Sequence, residues 1–261
     1  MSNDQADTYN KRIELKYLLD ECQSQQVKLW AREHLETDAY CDPQLGDSYD
    51  IHTLYLDSSE LDLYYRTGVI GKTKHRIRRY GCDPGLWIET KRKKKFVVKK
   101  NRTMVIDHEL HPRVTASDPK LALQNESSWC GDWFLDRIAN RQLQPSVQIY
   151  YRRFARTAVI GGESMRLTID SDLQAMASSD WRVREHDSEL MSAIDNVQIL
   201  ELKFHNHMPY LFKELLREFP LSMTSFSKYN AAVEATRTVA FPNVSDARKS
   251  TKTVPLTRLA I

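Results

Sequence analysis

The chain is poor in the residues that mark a stapled or metal-clipped fold. Its cysteines, Cys22, Cys41, Cys82 and Cys130, lie far apart and make no C-x-x-C pair. That spacing argues against zinc and disulfide frameworks and is read as reduced thiols. No apolar run approaches the ~20 residues of a membrane helix, and the opening MSNDQADTYNKR lacks the apolar stretch of a secretory signal. With 8 glycines and 9 prolines, low complexity is excluded. There is no G-x-x-x-x-G-K-[ST] loop, so a nucleotide must be held otherwise than in a P-loop. The triplet His205-Asn206-His207 is set aside, because contiguous letters make neither a nuclease nor a zinc fold. What remains is a globular composition, 41% hydrophobic and 28% charged. A cytoplasmic enzyme or binding protein is expected. No linker divides the sequence, so one domain is expected over residues 11–240. A flexible segment 1–10 before it and a mobile tail 241–261 after it are expected.

Nor is there a large excess of charge of one sign, with 38 Lys or Arg against 35 Asp or Glu. The excess is local. From His75 to Arg102, HRIRRYGCDPGLWIETKRKKKFVVKKNR, eleven of 28 residues are Lys or Arg. Ile77, Trp87, Ile88, Val97 and Val98 interleave with them, which is a strand pattern and not that of a charged tail. The turn at Cys82–Gly85 joins two basic strands into a hairpin. Lys93, Lys94 and Lys95 fall at a hairpin end, either as a solvated run or as a guide for a polyanion.

Side chains i and i+2 share one face of a strand. By that parity Arg12, Glu14 and Lys16 oppose Ile13, Leu15 and Tyr17. Arg76 and Arg78 face together, as do Trp87, Glu89 and Lys91, and Tyr151 and Arg153. Arg166, Thr168 and Asp170 oppose Leu167 and Ile169, and Glu201 and Lys203 oppose Leu200, Leu202 and Phe204. One such strand is an ordinary half-exposed strand. Six of them, with helices between, weigh against that and suit an α+β fold: if the strands close into an antiparallel barrel or tunnel, charged faces line its interior and apolar faces pack outward under helices. A lumen of crowded cations needs counter-charge, and a phosphate chain with its metal ion fits. Covering helices are predicted from a Ser24 cap to about Glu36, after an Asp57/Glu60 capping box, over Ser128–Asn140, with Pro209 in a first turn, and after Ser227 to near Val239.

These residues resemble, in order, the catalytic domain of the vacuolar transporter chaperone family, within the triphosphate tunnel metalloenzymes. The landmarks are R-x-E-L-K-Y at Arg12–Tyr17, T-L-Y-L-D and L-D-L-Y-Y between Thr53 and Tyr65, and H-R-I-R-R-Y-G at His75–Gly81. They continue with I-E-T-K at Ile88–Lys91, V-V-K-K-N-R at Val97–Arg102, Y-Y-R-R at Tyr150–Arg153 and M-R-L-T-I-D at Met165–Asp170. L-E-L-K-F at Leu200–Phe204 and S-F-S-K-Y at Ser225–Tyr229 complete the set. The resemblance implies a tunnel that binds triphosphate and a divalent metal, Mn²⁺ or Mg²⁺, and makes inorganic polyphosphate from ATP. It implies Lys16, Arg76, Arg78, Lys91, Arg153, Arg166 and Lys228 as catalytic cations. Lys99, Lys100, Arg102, Tyr151, Lys203 and Ser227 are implied as phosphate contacts. Glu201 is implied as metal ligand, with Glu14 and Glu89 as further candidates. The chain looks like a stand-alone bacterial member, without a phosphate-sensing domain or membrane helices. The partners expected are ATP and polyphosphate, with no nucleic acid. A tunnel triphosphatase and a non-catalytic polyanion-binding module are the alternatives.

Overall fold

The computed structural model describes residues 12–68, 70–81, 83–94, 97–116, 129–185 and 190–240. The terminal segments expected to be mobile lie outside these residues, as do Cys82, Lys95 and Ser128. The side chains of Lys93 and Lys94 lie outside them too. Cys22, Cys41 and Cys130 are free thiols. Among the described residues, no helix is long and apolar enough to cross a membrane.

Among the described residues, ten strands form one antiparallel sheet. In chain order they are β1 (Arg12–Leu19), β2 (Glu36–Thr37), β3 (Ser48–Asp57), β4 (Thr73–Tyr80), β5 (Gly85–Lys94), β6 (Val97–Ile106), β7 (Gln144–Ile160), β8 (Glu163–Ala177), β9 (Met191–Ser192) and β10 (Gln198–His205). Their spatial order is β1-β10-β8-β7-β3-β4-β5-β6, with β2 on β7 and β9 on β8. Register shifts at Tyr55/Leu56 and at Tyr150/Arg152 bend the central strands, as bulges do. The sheet is open by backbone pairing, with β1 and β6 as its edges. Its curl is read from side chains. Lys91 on β5 donates to Glu14 on β1 at 3.0 Å, so opposite ends of the strand order meet across a lumen. The expected tunnel is present, closed there by an ion pair where a barrel would have a ladder.

The outer face is apolar. Tyr17, Leu19, Leu200, Leu202 and Phe204 pack with Val27, Trp30 and Ala31 of α1 (Glu21–His34), and a second helix supplies Leu211, Phe212 and Leu215. On the other half, Leu54, Leu56, Ile77 and Ile88 share a core with Phe134, Leu135 and Ile138. Each such side chain, fully buried, stabilises the fold by roughly 1.5–3 kcal/mol.

The helices depart from the sequence reading in instructive ways. α1 is capped by Asp20, whose carboxylate accepts from Gln23 N–H at 2.8 Å while Gln23 accepts from Asp20 N–H. Ser24 lies inside the helix and donates to Gln198. The apolar stripe begins only at Val27, which hides the first turn. α2 (Asp62–Tyr65) is one turn and has no side-chain cap at its first position. Asp57 instead accepts from Leu63 and Tyr64 N–H from the end of β3, and Glu60 closes no box. α3 (Asp107–Thr115) has no counterpart in the reading, because Pro112 within it reads as a breaker. α4 (Asp132–Arg141) starts after the expected Ser128. In α5 (Tyr210–Glu218), Pro209 is the capping position and not a first-turn residue. α6 (Lys228–Ala240) follows Ser227 as expected, and Ser227 Oγ accepts from Asn230 N–H.

A charged lumen as candidate functional site

Parity carries the charges inward, and the ladders set them side by side. Lys16 lies opposite Glu201, Glu14 opposite Lys203, and Lys203 opposite Arg166. Arg76 pairs with Glu89 and Tyr55, Arg78 with Trp87 and Thr53, and Lys91 with Lys74 and Lys100. Arg153 sits between Tyr49 and Asp170.

On one wall Glu201 is wrapped by lysines. Its oxygens lie 2.6 Å from Lys203 Nζ, 3.0 Å from Lys16 and 3.3 Å from Lys228. Asp170 accepts a two-pronged grip from Arg153, at 2.6 and 2.8 Å, and lies 2.6 Å from Lys228. Lys228 and Arg153 also sit over the Tyr151 ring, at 5.2 and 5.4 Å. On the facing wall the fully buried Glu89 lies 2.7 Å from Arg76 and 3.2 Å from both Lys100 and Arg102. Arg78 donates to Thr53 and Tyr80. Arg166 is held by Asp38 at 2.8 Å and donates to Tyr49 at 2.8 Å.

Burial and crowding move the protonation equilibria. Burial alone raises the Glu14 carboxyl, and nearby Glu201 adds to that, yet Lys203, Lys91 and Lys16 bring it down to about 2. Glu89 is held well below the usual carboxylate range: burial opposes this, and Arg76, Arg78 and Lys100 outweigh burial. Burial lowers the cations, but neighbouring acidic groups outweigh it at Lys16, Arg76, Arg78, Arg153 and Lys228, which are raised, whereas Lys203 and Lys74 are lowered. Burial pulls Lys203 down to about 8 despite Glu201. Burial pulls Lys74 to about 8 as well, with Lys16, Arg76 and Lys91 pushing the same way. Tyr55 is fully enclosed, which by itself raises a phenol; Arg76, Lys74 and Arg78 overcome this and hold it near about 7. The lumen therefore has more positive charge than its carboxylates balance.

Nearly all the expected site residues meet in this lumen. Lys99 does not. It pairs with Arg92 on the outer face of β6, because only Lys100 and Arg102 share the parity of the inward side. The three expected metal carboxylates also separate. Glu14 and Glu201 converge on Lys16, at 3.4 and 3.0 Å, while Glu89 belongs to the Arg76–Arg102 cluster. Lumen groups that escaped the sequence reading include Asp170, Lys74 and Tyr55, with Tyr49, Thr53 and Tyr80. Asp170 was placed on the charged face but given no role. Lys74 and Tyr55 share the parity of Arg76 and Thr53, and the same rule extended by one step would have found them. Lys74 also donates to Ser227 at 3.3 Å, tying β4 to the start of α6.

The fit to a divalent ion can be judged from the donors. Glu14 and Glu201 offer hard carboxylate oxygens, and Thr168 Oγ1, opposite Glu201, is buried without a hydrogen-bond partner. Among the described residues no cluster of three or more His, Cys, Asp or Glu gathers. That set suits an ion of the Mg²⁺ type, which takes one or two carboxylates and fills its shell with waters and substrate phosphates.

Solved structures match the chain at low sequence identity, with TM-scores below 0.5 for the three that follow. A Hippeastrum protein, described as a candidate adenylyl cyclase with a dominant triphosphatase activity, is 12% identical with a TM-score of 0.48, over 87% of this chain and 96% of that one. A candidate adenylate cyclase from Bacillus halodurans is 15% identical with a TM-score of 0.46, over 83% and 95%. A Pyrococcus horikoshii OT3 protein is 12% identical with a TM-score of 0.46, over 86% and 99%. No curated protein is matched by the sequence. The family described as the VTC domain matches residues 11–237, almost the whole sequence and every lumen residue described above, and the chain belongs to that family.

Proposed function

We propose that the chain is a metal-dependent polyphosphate polymerase that moves the γ-phosphoryl group of ATP onto a growing inorganic chain. The observation that carries this reading is the uncompensated cation lining. Arg76, Arg78, Lys100 and Arg102 share one carboxylate, and Lys16, Lys203, Lys228 and Arg153 share Glu201 and Asp170. These are more cations than one triphosphate needs, on two walls, which suits a donor and an acceptor polyanion lying end to end.

Phosphoryl transfer asks the protein for in-line placement and for neutralised charge on the phosphoryl oxygens. Arg76 and Arg78 fork onto those oxygens and stay charged at any working pH. Lys74, Lys91 and Lys100 line the same channel as point charges. A terminal oxygen of the acceptor attacks the γ-phosphorus, and the bond from that phosphorus to the bridging oxygen breaks, leaving ADP. The attacking oxygen is already an anion, so no side chain need remove a proton. Glu201, with Glu14, would hold the divalent ion, which when bound adds positive charge on the phosphate oxygens. Tyr151, Ser227 and Lys228 complete the wall around the acceptor.

The test is the product. ATP with Mn²⁺ or Mg²⁺ should yield ADP and long polyphosphate, with little orthophosphate early on. Stoichiometric orthophosphate with no chain longer than triphosphate would overturn the reading in favour of a hydrolase.

A further inference from the structure

One mouth of the lumen is built differently from the rest, with aromatic and apolar side chains where the interior has cations. Beyond Arg78 on β4 comes Tyr80. Beyond Glu89 toward the start of β5 comes Trp87, opposite both Arg78 and Met104. Beyond Arg102 on β6 come Met104 and then Ile106, on the same face. Tyr40, between β2 and β3, completes the rim. Its ring lies 6.4 Å from that of Tyr80, only 26° from parallel. The Tyr40 backbone is anchored, its N–H donating to Asp38 at 3.1 Å, and Asp38 in turn holds Arg166. The ring itself is left in solvent.

Exposed apolar side chains scattered singly need no explanation. These are not scattered. Tyr40 is 65% exposed, Met104 52% and Ile106 45%. Tyr40 lies against Tyr80, Met104 lies opposite a half-buried Trp87, and the Arg102 guanidinium stands over the rings of both Tyr80 and Trp87 at the lip of the cationic channel. Arg102 joins the two zones: its guanidinium lies 3.5 Å from the Trp87 ring centre and 3.2 Å from Glu89.

We propose that this rim, Tyr40, Tyr80, Trp87 and Met104, is the base subsite for a purine nucleoside triphosphate; this rests on the tunnel reading above. A triphosphate gripped by Arg78 and Arg102 places its sugar and base one inward-facing position further along β4 and β6. That step is two residues, roughly 7 Å, and it ends at Tyr80 and Met104. The subsite also gives the nucleotide a direction. The base stays at the rim, and the γ-phosphate points inward to Lys74 and Lys91. Recognition is by ring overlap and by the flexible Met104 side chain, so the larger purine face is favoured over a pyrimidine.

The experiment is calorimetric titration of ATP, CTP and tripolyphosphate into wild type and Tyr40→Ala, a solvent-facing change outside the phosphate grip. Loss of a stacking partner should weaken ATP about tenfold while tripolyphosphate stays within about twofold. The preference for ATP over CTP should shrink in the variant. Unchanged ATP affinity, or equal weakening of ATP and tripolyphosphate, would overturn the subsite. A wild type that binds no tripolyphosphate would instead overturn the tunnel reading on which it stands.

Discussion

Raising the pH from 7 to 9 should loosen the grip of the lumen on tripolyphosphate by about a hundredfold, through two lysines whose buried ammonium groups are already half-inclined to lose a proton. Lys74 and Lys203 titrate near about 8 in the empty protein, burial being the main cause for each. A bound polyanion restores their charge and moves them back toward or above the ordinary lysine value. Binding then takes up a proton per lysine once the pH exceeds 8. Each such uptake weakens affinity by close to tenfold across the window, about 1.4 kcal/mol apiece. The terminal ionisation of tripolyphosphate at alkaline pH acts in the opposite sense, so the lysine contribution is read as the difference between the profiles of wild type and a variant that keeps its charge. The assay is metal-free calorimetry at several pH values, with Lys74→Arg as control. Arginine stays charged, so that variant should show a flatter profile. Identical pH profiles for wild type and Lys74→Arg between pH 7 and 9 would refute the argument.

The same groups should act on stability without ligand. Their folded values lie below the unfolded ones, so the unfolded chain binds more protons between about pH 7 and 9, and stability should rise across that range; denaturant midpoints at pH 7 and 9 check the sign. Arg76→Ala and Arg78→Ala should each weaken tripolyphosphate by about 1.5–3 kcal/mol through lost charge-assisted hydrogen bonds. Arg79→Ala should leave binding unchanged, since Arg79 faces outward to Asp107 and Glu185; equal losses in the same titration would place the strand parity in error. Glu201→Gln should abolish metal-dependent turnover. It should also lower the melting temperature of the empty protein, because breaking buried pairs costs about 3–5 kcal/mol, and saturating tripolyphosphate should recover much of the loss. Full metal-dependent activity in this folded variant would remove Glu201 from its role.

The strands were legible because a period of two is a local property. Glu14 with Lys16, Arg76 with Arg78, and Glu201 with Lys203 declare a common face whatever they later meet. Lys99 shows where that reading ends: in a run as basic as Val97–Arg102, only the register against β5 decides which lysines face inward. The separation of Glu89 from Glu201 was hidden for a different reason. Both stand in E-x-K triplets, but which wall each occupies depends on strand order, and strand order is set by long-range pairing. Helix starts were missed for two reasons: at α1 the apolar stripe begins a turn after the adjacent Asp20 cap, and at α2 the capping group lies on the preceding strand. Asp57, at the end of β3, accepts from α2 N–H groups six and seven residues further along.

The seam between β1 and the far end of the sheet has a mechanical consequence. Elsewhere round the lumen each strand is spaced from its neighbour at about 4.8 Å by a backbone ladder, which acts as a fixed ruler. Across the seam the spacing is set by Glu14 and Lys91, two side chains with many rotatable bonds and one shared proton-bearing contact. The bore can widen or narrow along that line by rotation about those bonds alone, with every backbone hydrogen bond of the sheet intact. Because both groups are partly exposed to solvent, dissolved salt weakens their attraction, and the calibre of the channel becomes a quantity that ionic strength can tune.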